Sequence, residues 1–236
     1  EPGAPAYDEA AKLDPEGEGS TLAEIIPGHP VEGAARVTRL TAPNPGMMTG
    51  PGTNTYLLGH ERFTVIDPGP DNQTHIERIL ELTGGVIDQV LVTHTHLDHS
   101  PAVAALKERT GCRVFGWPAP AGAAQDQTFT PDDEPQHGDV IVTEAGVLKV
   151  LHTPGHASNH LCYLLADQEL LFSGDHIMQG STVVINPPDG DMKAYLESLY
   201  ELLAESIRFI APAHGFLMAR PEAVIDFLIT HRLSRE

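Results

Sequence analysis

The sequence predicts a mixed α/β (α+β) domain in which two sheets pack face to face with helices on their outer sides. Three observations carry this. Short apolar runs joined by tight turns lead into an amphipathic helical pattern, and this order occurs twice, once on each side of an irregular stretch at 117–138. The 236 residues are enough to bury a full core, and 41% apolar with 20% charged residues is an ordinary globular balance. The apolar run Val86-Ile87-Asp88-Gln89-Val90-Leu91-Val92 ends abruptly in Thr93-His94-Thr95-His96-Leu97-Asp98-His99-Ser100. A buried strand stops there and a cluster of metal-capable side chains begins.

Taken in order, residues 1–35 are rich in Pro, Gly, Glu and Ala and read as an acidic leader that either lies on the domain or is partly disordered, with a short apolar segment at 22–26. The folded domain is expected to occupy 36–236. Strands are expected at 35–40, 54–58 and 62–67, with a Gly/Pro-rich piece at 43–52 and a hairpin at Gly59-His60-Glu61. A helix follows at 73–82, then the strand at 86–92, a helix from Pro101 and a short strand at 112–115. The stretch 117–138 holds Pro118, Pro120, Pro131 and Pro135 and reads as a long irregular loop, either a wall or lid over the site or a plain linker. The second half gives strands at 140–142, 147–151, 161–165 and 170–173, an amphipathic helix at 191–204, a strand at 209–211 and a helix from Pro221 to about residue 233.

Charge narrows the partners. With 33 acidic against 14 basic residues the net charge is −19, and the basic residues do not cluster along the chain. Such a surface repels phosphate backbones at long range, which disfavours RNA and leaves a small, weakly charged molecule as the expected partner. No run approaches the roughly 18 apolar residues of a membrane span. The two cysteines, Cys112 and Cys162, lie in strand-like apolar surroundings and are expected to be buried thiols of a cytoplasmic protein rather than a disulfide framework.

The histidine cluster carries the chemistry. His-x-His-x-Asp-His places three imidazoles and a carboxylate within six residues, ligand types that suit zinc and, less selectively, iron or manganese. In a strand-to-helix turn, His94 and His96 point one way while Asp98 and His99 point another, so one loop serves two ions. A histidine tract without function sits in polar, low-complexity surroundings, whereas this one caps an apolar strand and precedes a helix. Three further candidates follow apolar strands and have a glycine beside them: His156 in Thr153-Pro154-Gly155-His156, Asp175 in Phe172-Ser173-Gly174-Asp175, and His214 in Pro212-Ala213-His214-Gly215. Glycine there lets the backbone turn tightly and aim one side chain at a shared point.

In this series of motifs the chain resembles the metallo-β-lactamase-fold hydrolases, over about residues 36–236. The resemblance implies a four-layer αβ/βα sandwich of two mixed sheets, with the site at one edge. By position it assigns His94, His96 and His156 to a first metal and Asp98, His99 and His214 to a second, with Asp175 bridging the two. An aspartate at 175, where one class of true metallo-β-lactamases has cysteine, is similar to the glyoxalase II, lactonase and ribonuclease branches. Asn44-Pro45-Gly46, Gly52-Thr53-Asn54-Thr55-Tyr56-Leu57 and Gly174-Asp175-His176 resemble the β-lactamase-like protein 2 group. That group includes endoribonucleases for single-stranded RNA, and many members carry a C-terminal winged-helix extension, expected to begin where this sequence stops.

The expected activity is hydrolysis by two divalent ions, zinc first, which roughly 3.5–4 Å apart hold a hydroxide between them. Asp98 and His176 are the expected catalytic side chains, Asp98 orienting the hydroxide and His176 either protonating the leaving group or bracing a ligand. The leading expectation is an ester or thioester bond of a small molecule. Endoribonuclease action on single-stranded RNA is the alternative that the resemblance carries, and a metal-binding regulatory module without catalysis is the non-enzymatic one. Glyoxalase II proper is disfavoured, since gripping glutathione needs basic residues and the later part of the chain offers only Lys193, Arg208 and Arg220 before its last helical turns.

Overall fold

The computed structural model describes residues 25–234. Two six-stranded mixed sheets pack face to face, and each carries two helices on its outer face. The first sheet runs β1 (Val31–Glu32), β2 (Val37–Thr41), β3 (Asn54–Leu58), β4 (Phe63–Ile66), β5 (Ile87–Leu91) and β6 (Arg113–Phe115), in spatial order of sequence. Its first four strands are antiparallel; β5 and β6 join in parallel after α1 (Gln73–Leu82) and α2 (Ala102–Thr110). The second sheet contains β7 (Val140–Thr143), β8 (Gly146–His152), β9 (Leu161–Leu165), β10 (Leu170–Gly174), β11 (Phe209–Pro212) and β12 (Met218–Ala219). There β11 joins β10 in parallel after α3 (Met192–Leu202), and α4 (Pro221–Leu233) closes the domain.

Period-two alternation sorts the side chains into three apolar layers. In β3, Tyr56 and Leu58 face the central layer while Leu57 faces the helices; in β9, Leu161, Tyr163 and Leu165 face inward while Cys162 and Leu164 face out. Between the sheets, Tyr56 meets Phe172 edge-on at 5.0 Å and the Tyr163 hydroxyl donates to the Val92 carbonyl at 2.8 Å. The outer layers pair Val65 and Val90 with Ile76, Ile79 and Leu106, and Leu151 and Leu171 with Tyr195, Leu199 and Ile225.

Helix ends follow local chemistry. Asn72 caps α1 by accepting from the His75 amide, Asp191 caps α3 by accepting from the Ala194 amide, and Pro221 opens α4. α2 runs to Thr110, where Gly111 adopts the left-handed conformation that ends it.

Two short edge strands were not expected. β1 pairs with β2 through Val31 and Glu32, and Ala34 is buried in the central layer, so the sheet begins before the expected domain start at 36. β12 pairs with β11 through two residues. Strands this short carry too little periodicity to be read from sequence. Residues 1–24 of the expected leader, and most of its apolar segment, lie outside the described residues. Both cysteines are buried and unpaired, as expected. Among the described residues no helix is long and apolar enough to cross a membrane.

Candidate metal centre

The ligand-bearing loops leave the C-terminal ends of β5, β8, β10 and β11, and their side chains converge between the two sheets at one edge of the sandwich. Two donor sets result: His94, His96, His156 and Asp175, and beside them Asp98, His99 and His214, the donor atoms of each set lying within 4.8 Å of one another. In the first set His96 Nδ1 lies 2.9 Å from His94 Nε2 and 3.0 Å from His156 Nε2. Asp175 Oδ2 lies 3.9 Å from His94 Nε2 and 3.5 Å from His156 Nε2. Asp175 Oδ1 turns to the second set, 3.5 Å from His99 Nε2 and 3.3 Å from His214 Nε2. Asp98 Oδ2 stands 3.4 Å from His99 Nε2 and 3.3 Å from His214 Nε2. One carboxylate therefore faces both sets.

Hydrogen bonds fix which ring nitrogen is offered. Carbonyls only accept, so His156 Nδ1 must donate to Val184 O at 2.6 Å and His214 Nδ1 to Gly52 O at 3.1 Å, which turns each Nε2 toward the centre. His99 Nδ1 donates to Asp67 Oδ2 at 2.9 Å. The Thr93 hydroxyl donates to the same oxygen at 2.7 Å, leaving its own lone pair 3.0 Å from His94 Nδ1. Asp67 also takes the Thr93 amide at 2.7 Å and is itself held at a φ of 48°, a left-handed turn that directs its carboxylate under the histidine loop. Asp98 is braced by the Thr53 hydroxyl at 2.9 Å.

Gly174 shows why glycine precedes Asp175. Its φ is 51°, and a Cβ there would stand 2.6 Å from His160 Nε2 and 2.8 Å from Thr93 Oγ1. That close approach lets the Asp175 amide donate to His160 Nε2 at 3.2 Å, which sets the carboxylate in place.

Electrostatics agree with a cation site. Burial pushes His94 well below the usual histidine range and His96 down to about 4, so both are neutral lone-pair donors. Burial acts the same way on His99 and His214, but the nearby Asp98 and Asp175 outweigh it, holding His99 well above the usual range and raising His214 to about 10. Burial would raise both carboxylates, yet the facing His99 and His214 keep them well below the ordinary range. The two carboxylates thus demand positive charge at this point. His99 Nε2 and Asp175 Oδ1 are buried with no hydrogen-bond partner. In a tetrahedral site with bonds of about 2.0–2.1 Å, neighbouring ligand atoms lie about 3.3 Å apart, near the separations here. The two His/Asp sets fit two divalent ions.

The centre opens on a cavity of about 740 Å³, whose floor includes His96, Asp98, His156, Asp175 and His214. Residues 120–125 of the irregular 117–138 stretch line it, which bears out that stretch as a wall. The wall is anchored: the Thr95 hydroxyl donates to Gln125 Oε1 at 2.6 Å, and the Ser100 hydroxyl to Asp126 Oδ2 at 2.8 Å.

His176 does not share this arrangement. Its side chain is fully buried, absent from the cavity lining, and packed 4.8 Å from the Tyr195 ring, with neither ring nitrogen hydrogen-bonded. Burial lowers its pKa to about 3, so at neutral pH it is the uncharged imidazole and not the acidic imidazolium. His176 thus stands neither as an acid at the cavity nor as a brace on a ligand, since both ring nitrogens lack partners. Alternation across the turn after β10 sends residue 175 to the centre and residue 176 into the outer core.

Asp67, Thr53, Thr93 and His160 escaped the sequence reading. Only Asp67, beside Pro68-Gly69 at a strand end, carried the signal that picked out the ligands.

Comparisons with known proteins agree with the geometry. The Beta-lactamase-like protein 2 homolog of Drosophila melanogaster is 34% identical over 220 residues, covering 85% of this chain and 71% of that protein. An atrochrysone carboxyl ACP thioesterase of Aspergillus fumigatus is 32% identical over 209 residues, covering 85% of this chain and 62% of that one. The chain therefore spans roughly two-thirds of the length of these relatives. The crystal structure of TTHA1623 in a di-iron-bound form is similar at a TM-score of 0.63 and 28% identity, over 77% of this chain and 93% of that one. A family model described as the metallo-beta-lactamase superfamily matches residues 48–214, from the methionine turn before β3 to the last histidine of the centre, and the chain belongs to that superfamily.

Proposed function

We propose that this chain is a dinuclear metal-dependent hydrolase of small-molecule thioesters and related acyl bonds, with zinc as its metal. The observation that carries the reading is Asp175, whose two oxygens face two separate donor sets at the floor of one open cavity. Two bound divalent ions would supply Lewis acidity and lower the pKa of water enough for it to attack near neutral pH. His94, His96 and His156 would hold one ion and Asp98, His99 and His214 the other, with Asp175 facing both sets. Asp98, fixed by Thr53, lines the cavity and would orient the attacking water through its carboxylate.

In the overall reaction the water oxygen bonds to the carbonyl carbon, the C–S bond breaks, and the products are a carboxylic acid and a thiol. Among the described residues that line the cavity, the titratable side chains are the metal ligands and Asp189, so no free general acid stands by the leaving group. A thiol, with a pKa of about 8.5, leaves as the thiolate without one. An alkoxide does not. The thioesterase relative and the net charge of −19 support the same choice over RNA.

The test is a panel assay of metal-quantified protein on a thioester, a lactone, a β-lactam and a single-stranded RNA. The expected result is thioester turnover with two zinc ions per chain. RNA cleavage that falls steeply with salt, with no acyl hydrolysis, would overturn it, and iron on elemental analysis would change the metal.

A further inference from the structure

We infer that the cavity beyond the metal ligands is a binding subsite for an uncharged, apolar acyl group, so that substrates carrying phosphate or another anionic handle are poorly taken. This rests on the acyl-hydrolase reading above and names the substrate class for it.

Apart from the ligands, none of the residues lining the cavity is Lys or Arg, and the one charged side chain is Asp189. That charge is already committed. Asp189 Oδ2 accepts from Gln125 Nε2 at 2.7 Å and Oδ1 from the Ser158 hydroxyl at 2.5 Å, which ties the segment around Asp189 to the anchored wall. An anionic arm reaching past the metals would lose its water against apolar surface and a carboxylate, with no cation to compensate. The surrounding charge of −19 adds long-range repulsion.

The apolar side of the subsite is placed where folding does not require it. Met47 and Met48 are 100% and 61% exposed, and both line the cavity together with Val184, which is 48% exposed. The methionines sit at the tip of a turn closed by backbone bonds in both directions between Gly46 and Gly50 and by the Thr49 hydroxyl on Asn44 O. Nothing in that closure depends on the side chains at 47 and 48, and an exposed turn tip ordinarily holds polar residues. Two flexible thioether chains at the mouth, facing Val184 and the Pro/Ala wall at 120–124, form a surface that adapts to an acyl chain.

The test uses two thioester series with matched acyl groups from acetyl to octanoyl, one on N-acetylcysteamine and one on coenzyme A. In the neutral series kcat/KM should rise by up to about fourfold per methylene. At equal acyl length the coenzyme A ester should be about tenfold poorer, the gap narrowing with added salt. Met48→Lys should flatten the chain-length dependence and favour the coenzyme A series. Calorimetric binding of the S-octyl thioether of each thiol gives a readout without turnover, and the neutral thioether should bind more tightly. Equal or better use of coenzyme A esters, or rates independent of chain length, would overturn the inference. If neither series is hydrolysed but the neutral thioether still binds selectively, the hydrolase reading fails while the subsite stands.

Discussion

The two donor sets differ in how the protein holds them. The first set opens to the cavity through half-buried His96 and His156, and its outward hydrogen bonds go to neutral groups, Thr93 Oγ1 and Val184 O. The second includes His99, which is fully buried and donates to the carboxylate of Asp67. A carboxylate behind an imidazole raises its basicity and fixes its ring, whereas a neutral acceptor fixes only the ring. The sequence assigns both sets the same kinds of ligand. The structure opens both sets to the cavity, through His96 and His156 in the first and Asp98 and His214 in the second, and places a carboxylate directly behind an imidazole only in the second.

Breaking the shared element should abolish the distinction. Asp175→Asn keeps the size but removes one of the two donor charges from both sets at once. Elemental analysis should show both ions lost or greatly reduced, and thioester turnover should fall on the order of 10³-fold, equivalent to about 4 kcal/mol. Retention of two tightly bound ions with near-normal turnover would mean that Asp175 does not span the sets.

Removing only the charged support should separate them. Asp67→Asn is compatible with the left-handed backbone at that position, since asparagine visits it readily, and it still accepts a hydrogen bond through its amide oxygen. Competition titration with a chelator should then show one ion weakened about 10- to 100-fold and the other little changed. Equal weakening of both, or of neither, would show that Asp67 does not distinguish the two sets.

The ligands were legible because His94, His96, Asp98 and His99 cap an apolar strand as one cluster, while His156, Asp175 and His214 each stand past an apolar strand beside a glycine. Asp67, Thr93 and His160 were less so, because their roles depend on which loops meet across the sheets: His99 and Asp67 are 32 residues apart, and Asp175 and His160 are 15 apart. The fold was legible through short apolar runs bounded by turns, such as β3 and β9, which are buried along their whole length, and not through β1 or β12, where two residues make no run. The paired sheets followed from the repeated order of strands and helices. The tie from Gln125 to Asp189 joins two irregular segments and left no pattern to read.

The smallest expected effect concerns the residue that adjacency placed wrongly. His176 follows Asp175 in sequence, but its ring lies in the outer layer against Tyr195, and both of its nitrogens are buried without partners. An unpaired buried polar atom costs stability, whereas an apolar side chain of similar size incurs no such penalty. His176→Leu should therefore shift stability by less than about 1.5 kcal/mol in either direction, the lost desolvation penalty offsetting the imperfect fit of the new shape. Thioester kcat should stay within about threefold, and its pH profile should keep its form, because the imidazole is uncharged near neutrality and does not titrate there. Denaturant melts and a kcat profile from pH 6 to 9 check both statements. A loss of about 10²-fold or more with both metals bound would return His176 to the reaction and require a motion that brings it to the cavity.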